Sequence, residues 1–95
     1  MHPYELMLIL HPGTEMEAQD ALIERLKALV EQGGGSITEV RKWGKRRLAY
    51  EINDQREGFY ILLNYQAVST VTDEMDRILK LDEQAIRFLI TRSDI

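Results

Sequence analysis

Two apolar segments limit the fold of this chain more than any other feature of its sequence. The first, Tyr4–Leu10, lies between Pro3 and Pro12, and the second, Phe59–Ala67, is almost as rich in apolar and aromatic residues. Short apolar runs bounded by turn residues are typical of strands that are buried on both faces. We therefore predict that these segments form the two central strands of one sheet.

Two further segments have the periodicity of amphipathic helices. Thr14–Glu17 matches a capping box, in which a hydroxyl and a carboxylate satisfy free amides at a helix start. Glycines 33–35 are predicted to end this helix, because glycine adopts the left-handed cap conformation without strain. Ser69 or Thr70 is predicted to cap the second helix. The predicted apolar stripes are Ala18, Leu22, Leu26, Leu29 and Val30 in the first helix, and Val71, Met75, Ile78 and Leu79 in the second.

Alternating apolar and polar residues predict two more strands. One begins at Ser36, is interrupted by Gly44 as by a bulge or bend, and resumes to Ile52, before a predicted turn at residues 53–58. The other is Ala85–Thr91, with Ile86, Phe88 and Ile90 on one face. The order strand, helix, strand, strand, helix, strand predicts a single α+β domain over residues 1–95. With right-handed crossovers it forms a ferredoxin-like split βαβ fold (βαββαβ), a four-stranded antiparallel sheet with two helices on one face.

The central strands carry more apolar residues than one helical layer can cover. In the first strand Met7 and Ile9 alternate with the leucines. In the third strand Tyr60 and Leu62 alternate with another apolar set, so each strand has apolar residues on both faces. One interpretation is that loops or the long second strand fold over this face, or that it is partly exposed, as in most proteins. The other is that a protein partner or stacked bases cover it. The sequence leaves both open.

The composition excludes several classes of protein. The 95 residues contain no cysteine, which rules out disulfides and thiolate zinc sites. No apolar run approaches the roughly 18–20 residues of a membrane span. No basic region precedes the first apolar run and no small-residue cleavage site follows it, so an intracellular protein is expected.

The sequence offers little for catalysis. His2 and His11 flank the first strand without the spacing of metal ligands, and surface histidines without a role explain them better. The three glycines follow a helix and cannot form a strand-to-helix phosphate loop. No nucleophile, base and orienting group can be combined. We predict a protein without catalysis, cofactor, metal or small-molecule substrate.

The basic segment, defined as residues 41–47, contains five of the twelve Lys and Arg residues, whereas the chain also has sixteen Asp and Glu and a net charge of −4. Phosphate binding depends on the local field and not on the total charge. A charged edge strand that blocks edge-to-edge pairing is the alternative, but it explains one or two cations better than five. The segment therefore favours RNA binding. Trp43 is expected to pack over the end of the sheet, although it could also stack on a base.

The motifs along the chain resemble one family. Trp43–Ile52 is similar to the signature segment of the bacterial-type small-subunit ribosomal protein S-six family. Tyr4–Pro12, Glu57–Tyr65 and Ala85–Arg87 resemble its amino terminus, third strand and fourth strand. The resemblance implies a protein of the cytoplasmic ribosome, or of a plastid ribosome, that binds central-domain rRNA of the small subunit as a heterodimer with the S-eighteen ribosomal protein. It implies neither membrane association nor a small-molecule ligand.

The resemblance also implies the residues at these interfaces. The implied RNA-binding residues are Lys45, Arg46, Arg47, Arg87, Arg92, His2 and Tyr4, and the implied partner-binding residues are Arg41, Trp43, Tyr50, Tyr60 and Leu62. Two positions depart from the family pattern. Glu51 replaces a common proline and His2 a common arginine, and both changes weaken a purely electrostatic interaction with RNA.

Three alternatives share the predicted topology. A generic RNA-recognition domain would stack bases on aromatic residues of the third strand, but Glu57 and Ile61 fit its motif poorly. A small-molecule-sensing or dimerising ferredoxin-like regulatory module would use the apolar surplus and leave the basic segment without a role. An acylphosphatase-like enzyme would need a phosphate loop with a catalytic arginine, and the sequence contains none.

Overall fold

The computed structural model, which describes residues 1–52 and 54–93, contains four strands and two helices. Along the chain these are β1 (His2–Leu10), α1 (Met16–Gln32), β2 (Ser36–Ile52), β3 (Gln55–Ala67), α2 (Ser69–Leu81) and β4 (Ala85–Arg92). The strands form one antiparallel sheet in the order β2-β3-β1-β4. The two apolar segments are therefore the central strands, and the predicted ferredoxin-like fold is confirmed.

The main core lies between the sheet and both helices. Leu6, Leu8 and Leu10 of β1 are completely buried there. All four predicted residues of the α2 stripe are buried, whereas in α1 Gln19 and Ile23 are buried and Ala18 and Leu29 are only partly covered. Complete burial of one leucine side chain contributes about 1.5–3 kcal/mol. Further strand residues in this core are Tyr4, Ile61, Leu63, Tyr65 and Ala67.

The predicted N-terminal caps are wrong. Helix α1 begins at Met16 with Glu15 as its N-cap, and in the described chain no side chain caps it. Thr14 lies one position too early, in a turn where its amide donates to the His11 carbonyl. Its hydroxyl is buried without a hydrogen-bond partner among the described residues. Ser69 and Thr70 lie inside α2, whose N-cap is Val68.

The C-terminal end of α1 follows the prediction. Gly34 has a φ of 85°, and its amide donates to the Glu31 carbonyl at 3.0 Å. The Gly35 amide donates to the Val30 carbonyl at 2.9 Å. This pair of bonds is the Schellman motif, which requires a left-handed residue and explains why glycine is used here.

Strands β2 and β3 form a long hairpin. The ladder shifts between Lys42 and Gly44, and the φ of 81° at Gly44 identifies this position as a β-bulge. The predicted turn at residues 53–58 is too long, because Ile52 already pairs with Gln55. Residues 55–58 lie in β3. Asp54 is in the reversal with a φ of 63°, and Asn53 is outside the described residues.

A second shift alters the predicted face of β4. The register with β1 changes between Ile9 and Leu10, so that Leu10 pairs with Ala85. Ala85, Phe88 and Ile90 pack against the core. Ile86 is not part of the core, because the irregularity interrupts the simple alternation.

Candidate nucleic-acid and partner interface

The basic segment lies in the edge strand β2. In the ladder with β3, Lys45 is opposite Phe59, Arg46 is opposite Gly58 and Arg47 is opposite Glu57. Successive side chains of a strand point to opposite faces, so the three cations are presented on both sides of the hairpin. Because β2 has a neighbour on one side only, they lie at the margin of the sheet.

The five cations of the basic segment have different surroundings. Arg41 forms an ion pair with Glu39, and Lys42 forms one with Asp20 of α1. The Lys45 ammonium lies 5.4 Å from the centre of the Phe59 ring, a cation–π contact.

The other two cations form neither an ion pair nor a cation–π contact among the described residues. The Arg46 Nε donates to the Trp43 carbonyl at 3.1 Å, and Arg47 is exposed. Within residues 1–52 and 54–93, Lys45, Arg46 and Arg47 take part in no ion pair. These three side chains therefore retain positive charge for an external anion.

The tip of the hairpin carries an ion pair that the sequence analysis did not predict. The Arg56 Nε lies 3.0 Å from the Glu51 Oε1. Glu51 is therefore compensated across the hairpin and does not draw Arg46 or Arg47 into a pair. The sequence prediction of a turn over residues 53–58 concealed this contact, because it did not place Arg56 in a strand next to β2.

The outer face, defined as the sheet surface opposite the helices, is partly covered by the same hairpin. Ile9, Leu48 and Leu62 are 7%, 9% and 8% exposed although they are outside the main core. Leu48, Ala49, Tyr50 and Ile52 of β2 line a recess of about 210 Å³ together with Ile9, Tyr60 and Arg87. The long second strand thus folds over part of this face, as one of the open interpretations proposed.

Another part of the outer face stays uncovered. Met7 pairs with Leu62 on one side and with Leu89 on the other, so the three side chains form a row across the sheet. Leu62 is buried, Met7 is partly exposed and Leu89 is 59% exposed. The apolar surface therefore remains open toward β4.

The remaining predicted RNA-binding residues lie on β1 and β4, outside the basic segment. The Arg92 Nη2 lies 3.0 Å from the His2 Nδ1, at the β1–β4 side of the sheet. Arg87 donates a hydrogen bond to the Tyr50 hydroxyl. Tyr4 is 6% exposed and stacks on Tyr65 with 5.3 Å between ring centres. Its ring is part of the core, so we do not retain Tyr4 as a surface residue.

The predicted partner-binding residues also differ in accessibility. Arg41 and Tyr50 are exposed, Tyr60 is partly exposed and Leu62 is covered. Trp43 is 42% exposed, so any packing over the end of the sheet leaves a large part of this residue accessible. Leu62 is only 8% exposed, so it offers little surface to a partner in this conformation.

The structure offers no metal centre or membrane helix in the regions it describes. Among residues 1–52 and 54–93, no group of three or more His, Cys, Asp or Glu side chains could hold a metal ion. In the same regions, no helix combines the length and apolar character needed to cross a membrane.

Known proteins match this chain over nearly its whole length. The family described as Ribosomal protein S6 matches residues 3–92. Small ribosomal subunit protein bS6 of Carboxydothermus hydrogenoformans is 42% identical over 94 residues, covering 99% of this chain and 98% of that protein. The crystal structure of 30S ribosomal protein S6 from Thermotoga maritima matches with a TM-score of 0.89 and 29% identity, covering 98% of this chain and 88% of that one.

Proposed function

Since this chain belongs to the ribosomal protein S6 family, whose members are structural ribosomal proteins and not enzymes, we propose that it binds small-subunit rRNA together with the S-eighteen ribosomal protein. The rRNA segment is in the central domain, and the two proteins bind it as a heterodimer. The protein acts in the small subunit of a cytoplasmic or plastid ribosome.

The observation that carries the RNA-binding proposal is the group of three unpaired cations. Lys45, Arg46 and Arg47 are consecutive, exposed and outside the ion pairs of the described chain. A chain with a net charge of −4 does not attract RNA as a whole, so the attraction has to be local. Arginine supports such binding well because its planar guanidinium donates two parallel hydrogen bonds to one phosphate.

The outer face supports the partner proposal. Leu89 is exposed beside the partly exposed Met7, and the hairpin covers only the neighbouring part of the sheet. An apolar surface that stays open beside polar residues is typical of an interaction site. The S-eighteen protein is proposed to contact this face together with Arg41, Trp43, Tyr50 and Tyr60.

Incorporation into small subunits tests the proposal. We expect the Arg46→Ala/Arg47→Ala variant to enter reconstituted subunits less efficiently than the wild type, because two phosphate contacts are lost. The Arg25→Ala/Lys27→Ala variant is the matched control, since it removes two charges from α1, in the other layer of the fold. Equal incorporation of wild type and Arg46→Ala/Arg47→Ala, with both variants folded by circular dichroism, would contradict the site assignment.

A further inference from the structure

We infer that Arg87 is a positioning residue for RNA binding, which holds the tip of the β2–β3 hairpin through Tyr50 instead of contacting a phosphate itself. The expected effect of Arg87 on RNA binding rests on the proposed function. The hairpin contact itself can be measured in the free protein.

The backbone ladder does not fix the hairpin tip. Arg47 pairs with Glu57, and the next pair is Ile52 with Gln55. Four residues of β2 (positions 48–51) are therefore opposite one residue of β3, and the register is irregular between these two pairs. A large bulge of this kind leaves the direction of the strand to side-chain contacts. The three unpaired cations end where this irregular stretch begins, so the position of the tip determines how they are presented.

Two side-chain contacts hold the tip against the outer face. Leu48 is 9% exposed in the recess that Ile9 and Tyr60 also line. Tyr50 is 62% exposed, and its hydroxyl accepts a hydrogen bond from the Arg87 Nη1. Tyr50 belongs to β2 and Arg87 to β4, the two edge strands on opposite sides of the sheet. The hydrogen bond thus connects the hairpin with the far edge, across the two central strands.

The contact assigns Arg87 a different role from that of Arg46 and Arg47. A residue that binds phosphate contributes to the number of counterions released, so its removal lowers the salt dependence of binding by about one unit. A residue that positions the hairpin changes affinity without changing the number of phosphates bound. The slope of log affinity against log salt therefore separates the two roles.

Native-state trypsin cleavage tests the contact in the free protein. We expect Tyr50→Phe and Arg87→Ala each to raise the rate of cleavage after Arg46 and Arg47 by about 2- to 10-fold, because loss of a hydrogen bond raises the population of the open hairpin. Tyr60→Phe is the matched control: its hydroxyl has no hydrogen-bond partner in the described chain and lines the same recess. Unchanged cleavage in both test variants would overturn the inference.

Binding to a central-domain rRNA fragment, with the S-eighteen protein present, tests the consequence across a salt series. Tyr50→Phe and Arg87→Ala should each weaken binding by about 2- to 10-fold with an unchanged salt slope, and the double variant should bind no worse than the single variants. A slope lowered by about one unit in Arg87→Ala, with Tyr50→Phe binding like the wild type, would identify Arg87 as a phosphate contact and overturn the inference. If the wild type did not bind, the proposed function would fail, and cleavage would still decide whether Arg87 positions the hairpin.

Discussion

Gly58 tests the packing between the hairpin and the central strand β1. A β-carbon at this position would lie 2.5 Å from the Ile9 Cγ2 and 3.0 Å from the Leu10 carbonyl oxygen. The first atom belongs to a β-branched side chain that is only 7% exposed, and the second belongs to the backbone of a central strand. Neither atom can move freely, so Gly58→Ala forces the β2–β3 hairpin away from β1. Such overpacking costs about 1–3 kcal/mol.

Thermal and urea unfolding, followed by circular dichroism, measure this cost. For a domain of this size the unfolding midpoint falls by about 4–8 °C for each kcal/mol. Gly13→Ala is the control, since its β-carbon would meet only the exposed His11 ring, at 3.2 Å, and should change the free energy of unfolding by at most about 0.5 kcal/mol.

A double-mutant cycle locates the cause. In an Ile9→Ala background, where Cγ2 is absent, Gly58→Ala should cost less by about 1 kcal/mol. An unfolding free energy for Gly58→Ala equal to that of the wild type would refute the packing argument. So would strictly additive effects in the cycle, because the clash would then not involve Ile9.

Three further predictions concern the core, the bulge and a buried tyrosine. Leu8→Ala should lower the free energy of unfolding by about 2–5 kcal/mol, whereas Leu89→Ala, at a side chain 59% exposed, should change it by about 0.5 kcal/mol or less in urea titrations. Gly44→Ala should cost about 1 kcal/mol more than Gly44→Asn in the same titrations, because the φ of 81° is left-handed and asparagine tolerates that region. Burial raises the pKa of the Tyr65 hydroxyl above its ordinary value of 10.0, against a smaller opposing effect of the hydrogen bond from or to Thr72. The folded state then holds this proton more tightly than the unfolded state, so the stabilisation is complete below about pH 10 and is lost as the pH rises through the raised pKa. Unfolding titrations above about pH 10 should show a steeper loss of stability in the wild type than in Tyr65→Phe, and equal pH dependence would contradict this prediction.

The fold could be predicted because its determinants are local and consistent. The apolar runs Tyr4–Leu10 and Phe59–Ala67 are short and bounded by turn residues, which is typical of buried strands. The α2 stripe buries all four predicted residues. The helix starts could not be predicted as well. Thr14 has a suitable hydroxyl for a cap, but it lies in a turn closed by the hydrogen bond from its amide to the His11 carbonyl, and its hydroxyl is buried. Tertiary context decided that position over local propensity.

In the candidate site, too, some features could be predicted from the sequence and others could not. The exposure of Arg46 and Arg47 could be expected, because five of the seven residues of the basic segment are Lys or Arg. The hydrogen bond between Arg87 and Tyr50 does not, because it joins residues 37 positions apart through an irregular bulge. The resemblance implied an RNA-binding role for Tyr4, whereas its stacking on Tyr65 places its ring in the core, in agreement with the predicted burial of the first strand.

Binding of this protein to a central-domain rRNA fragment, measured with and without the S-eighteen protein across a salt series, tests the central claim most directly. We predict tight, salt-dependent binding that needs the partner, with a slope lowered by about one unit for each of Arg46 and Arg47 that is replaced by alanine. Failure to bind RNA with or without the partner, together with a stable homodimer whose association does not depend on salt, would contradict the account.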